Sequence, residues 1–299
     1  MAYNIIRNEM NEMGRHSPPQ KRRWIGFLLA IAILCGFLWL GLPAQRSLVM
    51  ATLDRLLGIM DPQLPPGPDP QAGSPIPLEP VIPEPIDLGV PKIAYLTFDD
   101  GPSVNTPLIL DILQDYGIKA TFFVIGNPAN SGKAMYRRIV AEGHSLGNHT
   151  YSHQYHSIYS SEDAFMADLI RLENLLVQST GVRPTIIRFP GGSNNQVSHA
   201  YSGPGFMQGL TQRVMADGYV YFDWSVTSSD AAVTTATAKN IVDSVLRGVG
   251  TRKQVMILLH DAKAKTTTVE ALPTIIENLT AEGFIFRPIT SDLKGFRFL

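Results

Sequence analysis

Two adjacent carboxylates, Asp99 and Asp100 in the run TFDDGP, and two histidines four residues apart, His149 and His153 in HTYSH, are the side chains of this sequence best suited to hold and use a divalent ion. Imidazole and carboxylate together suit a borderline cation, and a set of three such ligands leaves positions open for a water and a substrate oxygen. Read as a turn of helix, the His149 to His153 spacing puts both rings on one face. Each motif alone has an ordinary structural explanation, since Asp-Gly-Pro is a turn signature and histidine pairs at this spacing are common. A zinc protease motif of the same spacing carries a glutamate base beside its first histidine, whereas position 150 here is Thr. A base must therefore come from elsewhere, and Asp99 is available for it.

Three later runs add polar groups that can move or orient protons: Arg188 in RFPGG, Trp224 in FDW with Asp230 six residues on, and His260 in ILLHD. Arg188 could serve a surface carboxylate, Trp224 could be core, and His260 could be a satisfied strand-end histidine. Their common position argues against three unrelated explanations. Each falls where a predicted strand ends, and the carboxyl ends of parallel strands form the face on which barrel enzymes build their sites.

The elements that must position these residues are legible as alternating runs. IAYLTF, ATFFVIG, HSLGN, TIIRF, YVYFDW, VMILLH and FIFRPI read as seven strands, mostly continuous apolar runs of the kind expected when both sheet faces are covered. Six helical segments lie between them, most ending in a candidate left-handed cap at Gly117, Gly143, Gly181, Gly218 or Gly283. Repetition of strand and helix predicts an α/β fold with a parallel sheet, here a distorted, incomplete (β/α)7 barrel of the TIM type over residues 92–299.

Before residue 92 the composition changes. Residues 24–44 carry no charge and are long enough to span about 30 Å of hydrocarbon as a helix. Lys21, Arg22 and Arg23 precede this segment, which predicts a cytoplasmic N-terminal segment over 1–23, a single-pass membrane anchor, and a catalytic domain outside the cytoplasm. A cleaved signal peptide is the alternative, disfavoured by Leu42 where a small residue is preferred before a cut at Gln45. Residues 45–91 form a juxtamembrane stretch and then a proline-rich linker, expected to be an extended tether. The formal net charge of -1 and the lack of a basic patch beyond the N-terminal run exclude a nucleic-acid partner. With Cys35 as the single cysteine, there is neither an intrachain disulfide nor a thiolate metal cluster.

Taken in order, TFDDGP, HTYSH, RFPGG, FDW and LLHD resemble the five motifs of the polysaccharide deacetylase family, carbohydrate esterase family 4. The resemblance covers the chain from about Lys92 to Thr290. It implies Asp99 as base, Asp100, His149 and His153 as ligands of one divalent ion, and His260 as general acid. Zinc is the favoured ion, with cobalt or another transition metal as alternatives. Arg188 would orient Asp99, Asp230 would tune His260, and Trp224 with Leu258 would shape the pocket for an acetyl methyl group. In the third motif the family often has a tyrosine after the proline, where this chain has Gly191. A backbone N–H at Gly191 can still serve an oxyanion, but a substrate-facing ring is missing, and the long stretch from Ser193 to Gly205 is expected to alter the groove.

The chemistry expected from the resemblance is removal of acetyl groups from N-acetylglucosamine units of an extracytoplasmic polysaccharide, peptidoglycan first. An amine leaves poorly unless protonated, so a dedicated acid is a chemical necessity. Two other functions use the same barrel: a catalytically silent sugar-binding protein, and an esterase for O-acetyl groups, which depends less on His260.

Overall fold

The computed structural model describes residues 91–299. The expectations for residues 1–23, the apolar segment 24–44 and the linker up to residue 90 lie outside the described residues. Among the described residues no helix is long and apolar enough to cross a membrane.

The alternation read from the sequence is present. It runs β1 (Lys92–Asp99), α1 (Thr106–Asp115), β2 (Thr121–Val124), α2 (Asn130–Ala141), β3 (Ser145–Asn148), a one-turn α3 (Tyr155–Ile158) and the long α4 (Glu162–Thr180). It continues with β4 (Ile186–Ile187), a one-turn α5 (His199–Ser202), α6 (Phe206–Ala216), β5 (Val220–Tyr221) and β6 (Val226–Thr227). Last come α7 (Ala238–Val249), β7 (Gln254–His260), α8 (Thr266–Ala281) and β8 (Phe284–Phe286). All five predicted glycine caps have positive φ, between 65° and 85°.

One correction follows. Among the described residues there are eight strands rather than seven, because Val226 and Thr227 pair with Ile257 and Leu258. Two residues among serines and threonines give no periodicity to detect. The expected incomplete barrel takes the form of a curled, open half-barrel. Its strand pairs are parallel in the order β5-β4-β3-β2-β1-β7-β6, with β5 and β6 at the two unjoined edges. β7 takes one edge of β1 from Ile93 to Asp99, so β8, which pairs with Lys92–Ala94, shares the opposite edge with β2, which pairs with Thr97–Asp99.

Strand periodicity explains how the site is aimed. On β1, Ala94, Leu96 and Phe98 pack outward in the main core, while Tyr95 faces the interior cluster. Thr97 and Asp99 share the parity of Tyr95, so the same face becomes polar toward the strand's carboxyl end. On β7, Val255, Ile257 and Leu259 belong to the outer core and Met256 to the inner, which puts Leu258 and His260 on the inner face. Ile186 on β4 carries Arg188, and Val220 and Phe222 carry Trp224, by the same rule of two. Each fully buried large apolar side chain of the outer core stabilises the fold by about 1.5–3 kcal/mol, and this layer keeps the helices pressed on the sheet.

The segment after β8 returns to the open side. Leu293 and Phe296 pack into the interior cluster, and Tyr95 meets Phe296 edge to face with ring centroids 5.9 Å apart. Asp223 N–H donates to the Phe296 carbonyl at 2.7 Å, and Arg297 Nε donates to the Tyr221 carbonyl at 3.2 Å, so this tail lines the free edge next to β5.

Candidate active site

Asp99 is the last residue of β1 and is buried, and its Oδ1 accepts from Arg188 Nη1 at 2.8 Å. Burial pushes its carboxyl above the ordinary aspartate range, against the opposing charge of Arg188. Arg188 has no exposed surface. It donates to Thr97 Oγ1 at 2.7 Å and to the carbonyls of Phe222 and Asp223 at 3.1 and 2.8 Å, and its guanidinium lies 4.2 Å from the Phe123 ring centroid. A buried cation is tolerable only when its donors are satisfied in this way.

Asp100 then turns out of the strand with φ 72°, a left-handed conformation that costs energy for a residue with a Cβ. The next residue must be glycine, since a Cβ on Gly101 would lie 2.3 Å from Asp261 Oδ2. Asp261 is itself buried and fixed by Thr106 Oγ1 at 2.6 Å and Ser103 Oγ at 3.3 Å, and burial pushes its carboxyl up to about 7.

Asp100, His149 and His153 come together, one ligand atom from each lying within 4.8 Å of the others. His153 Nε2 and His149 Nε2 are 3.4 and 3.6 Å from Asp100 Oδ1. That oxygen is buried and has no hydrogen-bond partner, a costly condition that a cation would relieve. His149 Nδ1 lies 2.7 Å from the Arg188 carbonyl, which can only accept, so Nδ1 carries the proton and Nε2 presents its lone pair to the cluster. Burial, with the neighbouring His153 charge, pushes His149 down to about 3 and keeps it neutral. The trio therefore fits a divalent ion.

The reason the histidines meet differs from the expected one. His149 to His153 is a loop, not a helical turn, and left-handed backbone at Thr150 (φ 67°) and His153 (φ 52°) folds the second ring to 5.0 Å from the first. Asn148 Oδ1 accepts from Thr150 N–H at 2.9 Å, and Asp168 Oδ1 on α4 accepts from the N–H groups of Tyr151 and Ser152 at 2.6 and 2.9 Å. Sequence reasoning missed Asp168. Its signal was a carboxylate three residues after buried Phe165 and four before buried Leu172, on the core-facing stripe of a helix.

His260 ends β7 and pairs in register with Asp99. Its Nδ1 is 2.7 Å from Asp230 Oδ1, while its N–H donates to Asp230 Oδ2 at 2.8 Å. Thr268 Oγ1 also donates to Asp230 Oδ2, and Lys265 Nζ donates to the Asp230 carbonyl at 2.8 Å. Burial disfavours the imidazolium of His260, but the hydrogen bond and charge of Asp230 outweigh it and hold its pKa above the ordinary histidine range. Ser229, with φ 59°, makes the turn that presents Asp230.

Gly191 and Gly192, with φ 80° and 88°, form the turn after β4. A Cβ at Gly191 would lie 3.5 Å from the Tyr155 hydroxyl, and one at Gly192 would lie 3.1 Å from the Trp224 ring. An aromatic ring thus stands beside Gly191 although the motif lacks one, supplied by Tyr155, whose ring is 5.4 Å from His153. Leu258 is buried, and Trp224 is half-buried with its ring 5.8 Å from the Arg188 guanidinium. Asp223, also missed, accepts from Ser193 N–H and Oγ, both at 2.7 Å, and pins the glycine turn to β5.

The family model for polysaccharide deacetylase matches residues 89–203. A peptidoglycan-N-acetylglucosamine deacetylase from Bacillus cereus is 32% identical over 199 residues, covering 65% of this chain and 68% of that relative. Among solved structures, the catalytic domain of a peptidoglycan N-acetylglucosamine deacetylase from Eubacterium rectale is 39% identical, with a TM-score of 0.66 over 70% of this chain and 94% of that one. A CE4 esterase from Streptococcus mutans is 29% identical with a TM-score of 0.58, over 67% and 86% of the two chains. The five ordered motifs and these likenesses in sequence and fold lead to one conclusion: the chain belongs to the polysaccharide deacetylase family.

Proposed function

We propose that this chain hydrolyses the N-acetyl groups of N-acetylglucosamine units in an extracytoplasmic polysaccharide, with peptidoglycan as the polymer and the apolar segment 24–44 as its membrane anchor. The observation that carries this reading is one sheet end where a three-ligand cluster, a buried carboxylate fixed by Arg188 and a histidine paired with Asp230 stand together. The deacetylase relatives and the anchor-and-linker pattern support the choice of substrate and side of the membrane.

Asp100, His149 and His153 would hold a divalent ion, zinc for preference, which would supply Lewis acidity toward the acetyl carbonyl and lower the pKa of a water toward neutrality. Asp99 is the base. Its Oδ1 is occupied by Arg188, while Oδ2, 3.6 Å from His149 Nε2, faces the ligand cluster and takes the proton of the attacking water. The Gly191 N–H donates to the oxyanion that forms as the acetyl carbon becomes tetrahedral. His260, with Nδ1 held by Asp230, gives its second proton from Nε2 to the amine nitrogen as the C–N bond breaks. Acetate and the free amine result, and Trp224 and Leu258 enclose the methyl group meanwhile.

The decisive experiment is acetate release by the full chain from peptidoglycan and from N-acetylglucosamine oligomers, after loading with zinc or cobalt. The expected result is metal-dependent acetate release with amines appearing in equal amount. A metal-loaded chain that releases acetate from neither would remove this reading.

A further inference from the structure

The tail after β8 does more than cover a free edge. Phe296, with φ 57°, turns its ring into the interior, whereas Phe298, two residues on, remains 40% exposed. The Phe298 ring meets Trp224 edge to face, with centroids 5.1 Å apart and planes at 81°. It also stands beside the glycine turn, because a Cβ at Gly192 would come within 3.5 Å of it. Its position is fixed by the backbone. Phe298 N–H donates to Asp223 Oδ2 at 2.8 Å, the same carboxylate that holds Ser193 of the turn, and Tyr221 hydroxyl donates to the Leu299 carbonyl.

We infer that Phe298 is a substrate-binding residue, a wall of the cleft that packs on a pyranose ring next to the unit being deacetylated. The inference rests on the proposed deacetylase activity. Trp224, the group assigned to the acetyl methyl, has Arg188 5.8 Å from its ring and the half-exposed Phe298 against it, so Phe298 reaches the reacting centre only through Trp224. A polymer threading this cleft must carry a neighbouring sugar at that distance from the reacting unit. An edge-to-face contact leaves an aromatic face free, and the C–H-lined face of a pyranose is a fitting partner for it. Asp223 couples the parts, since one buried carboxylate sets both the glycine turn under the reacting unit and the tail beside its neighbour. Substrate length is therefore sensed by the tail, and the reacting acetyl group by the strand ends.

The test compares Phe298→Ala, Phe298→Leu and Phe298→Tyr in the full metal-loaded chain. Two substrates are used: a tetramer of N-acetylglucosamine, and 4-nitrophenyl acetate, which is too small to reach the tail. The ratio of tetramer kcat/KM to ester kcat/KM should fall about fivefold in Phe298→Ala, mostly through KM, as expected from losing roughly one partly buried aromatic face. Phe298→Tyr should restore the ratio and Phe298→Leu should restore only part of it. An unchanged ratio in Phe298→Ala, or an equal fall with both substrates, would overturn the inference by making the tail inert or merely structural. Calorimetric binding of glucosamine tetramer, which needs no turnover, separates the two readings. Binding that weakens in Phe298→Ala while the wild type releases no acetate keeps the tail's role and removes the deacetylase reading. Binding that does not weaken removes the tail's role whatever the wild type hydrolyses.

Discussion

At the scale of single residues, the proposed reaction gives Asp99 and His260 different tasks, so their variants should separate. Asp99→Asn should keep its metal and lose roughly a hundred- to ten-thousand-fold in rate on any acetyl substrate, as removal of a positioned base does. His260→Ala should lose most on the N-acetyl sugar and least on an activated acetyl ester, whose phenolate leaves unprotonated. The measurement is the ratio of the two rates with metal content checked. Equal losses in His260→Ala would mean that it is not the leaving-group acid. Because Asp230 holds the His260 pKa up, the required protonated form persists above the ordinary histidine range and is lost as pH rises through that raised value. Asp230→Asn should therefore move the alkaline limb of the rate profile to lower pH, and an unmoved limb would contradict the assignment. That these residues gather at one sheet end was legible in the sequence, because the gathering follows from residue type and order along the strands. Tyr155 beside Gly191 and Asp223 beneath the glycine turn were not, because each reaches the site only through a contact between distant segments.

At the scale of elements, the site depends on short loops held in unfavourable backbone, not on the regular structure they leave. Asp100, Thr150, His153 and Ser229 all have positive φ, and all lie in or beside the proposed ligand and acid positions. Such loops need external support, and Asp168 on α4 supplies it to HTYSH through two backbone N–H groups. Asp168→Ala should weaken metal binding about 10- to 100-fold while leaving all three ligands present, the usual effect of losing an outer support. Activity should return at high metal concentration, and a variant with wild-type metal affinity would sink the idea. Gly101→Ala tests the opposite side of the cluster. Its methyl would press on the fixed carboxylate of Asp261, so metal and activity should fall together. The strands themselves were predictable, since β1 and β7 read as apolar runs. The histidine loop was misread as helix because a four-residue spacing is also what two left-handed residues can produce.

At the scale of the whole molecule, the incomplete barrel expected from the strand and helix pattern is open between β5 and β6, a location no local pattern encodes, since neither edge contains more than two strand residues. The tail from Phe296 to Leu299 lines the β5 side of that opening, and Arg188 holds the segment just after β5 from the interior. Arg188 bonds at once to the Phe222 and Asp223 carbonyls just beyond β5, to Thr97, and to the proposed base Asp99. Arg188→Ala should therefore cost about 3–5 kcal/mol of stability, as when one partner of a buried ion pair is removed, besides abolishing activity. Thermal unfolding of the two chains measures this, and an inactive variant with unchanged Tm would show that the fold does not depend on the guanidinium. The use of one side chain for both tasks has a consequence for mutational drift. A change that deprives the proposed base of its partner also lowers the stability of the fold, so activity and stability at this position fall together and neither can drift alone.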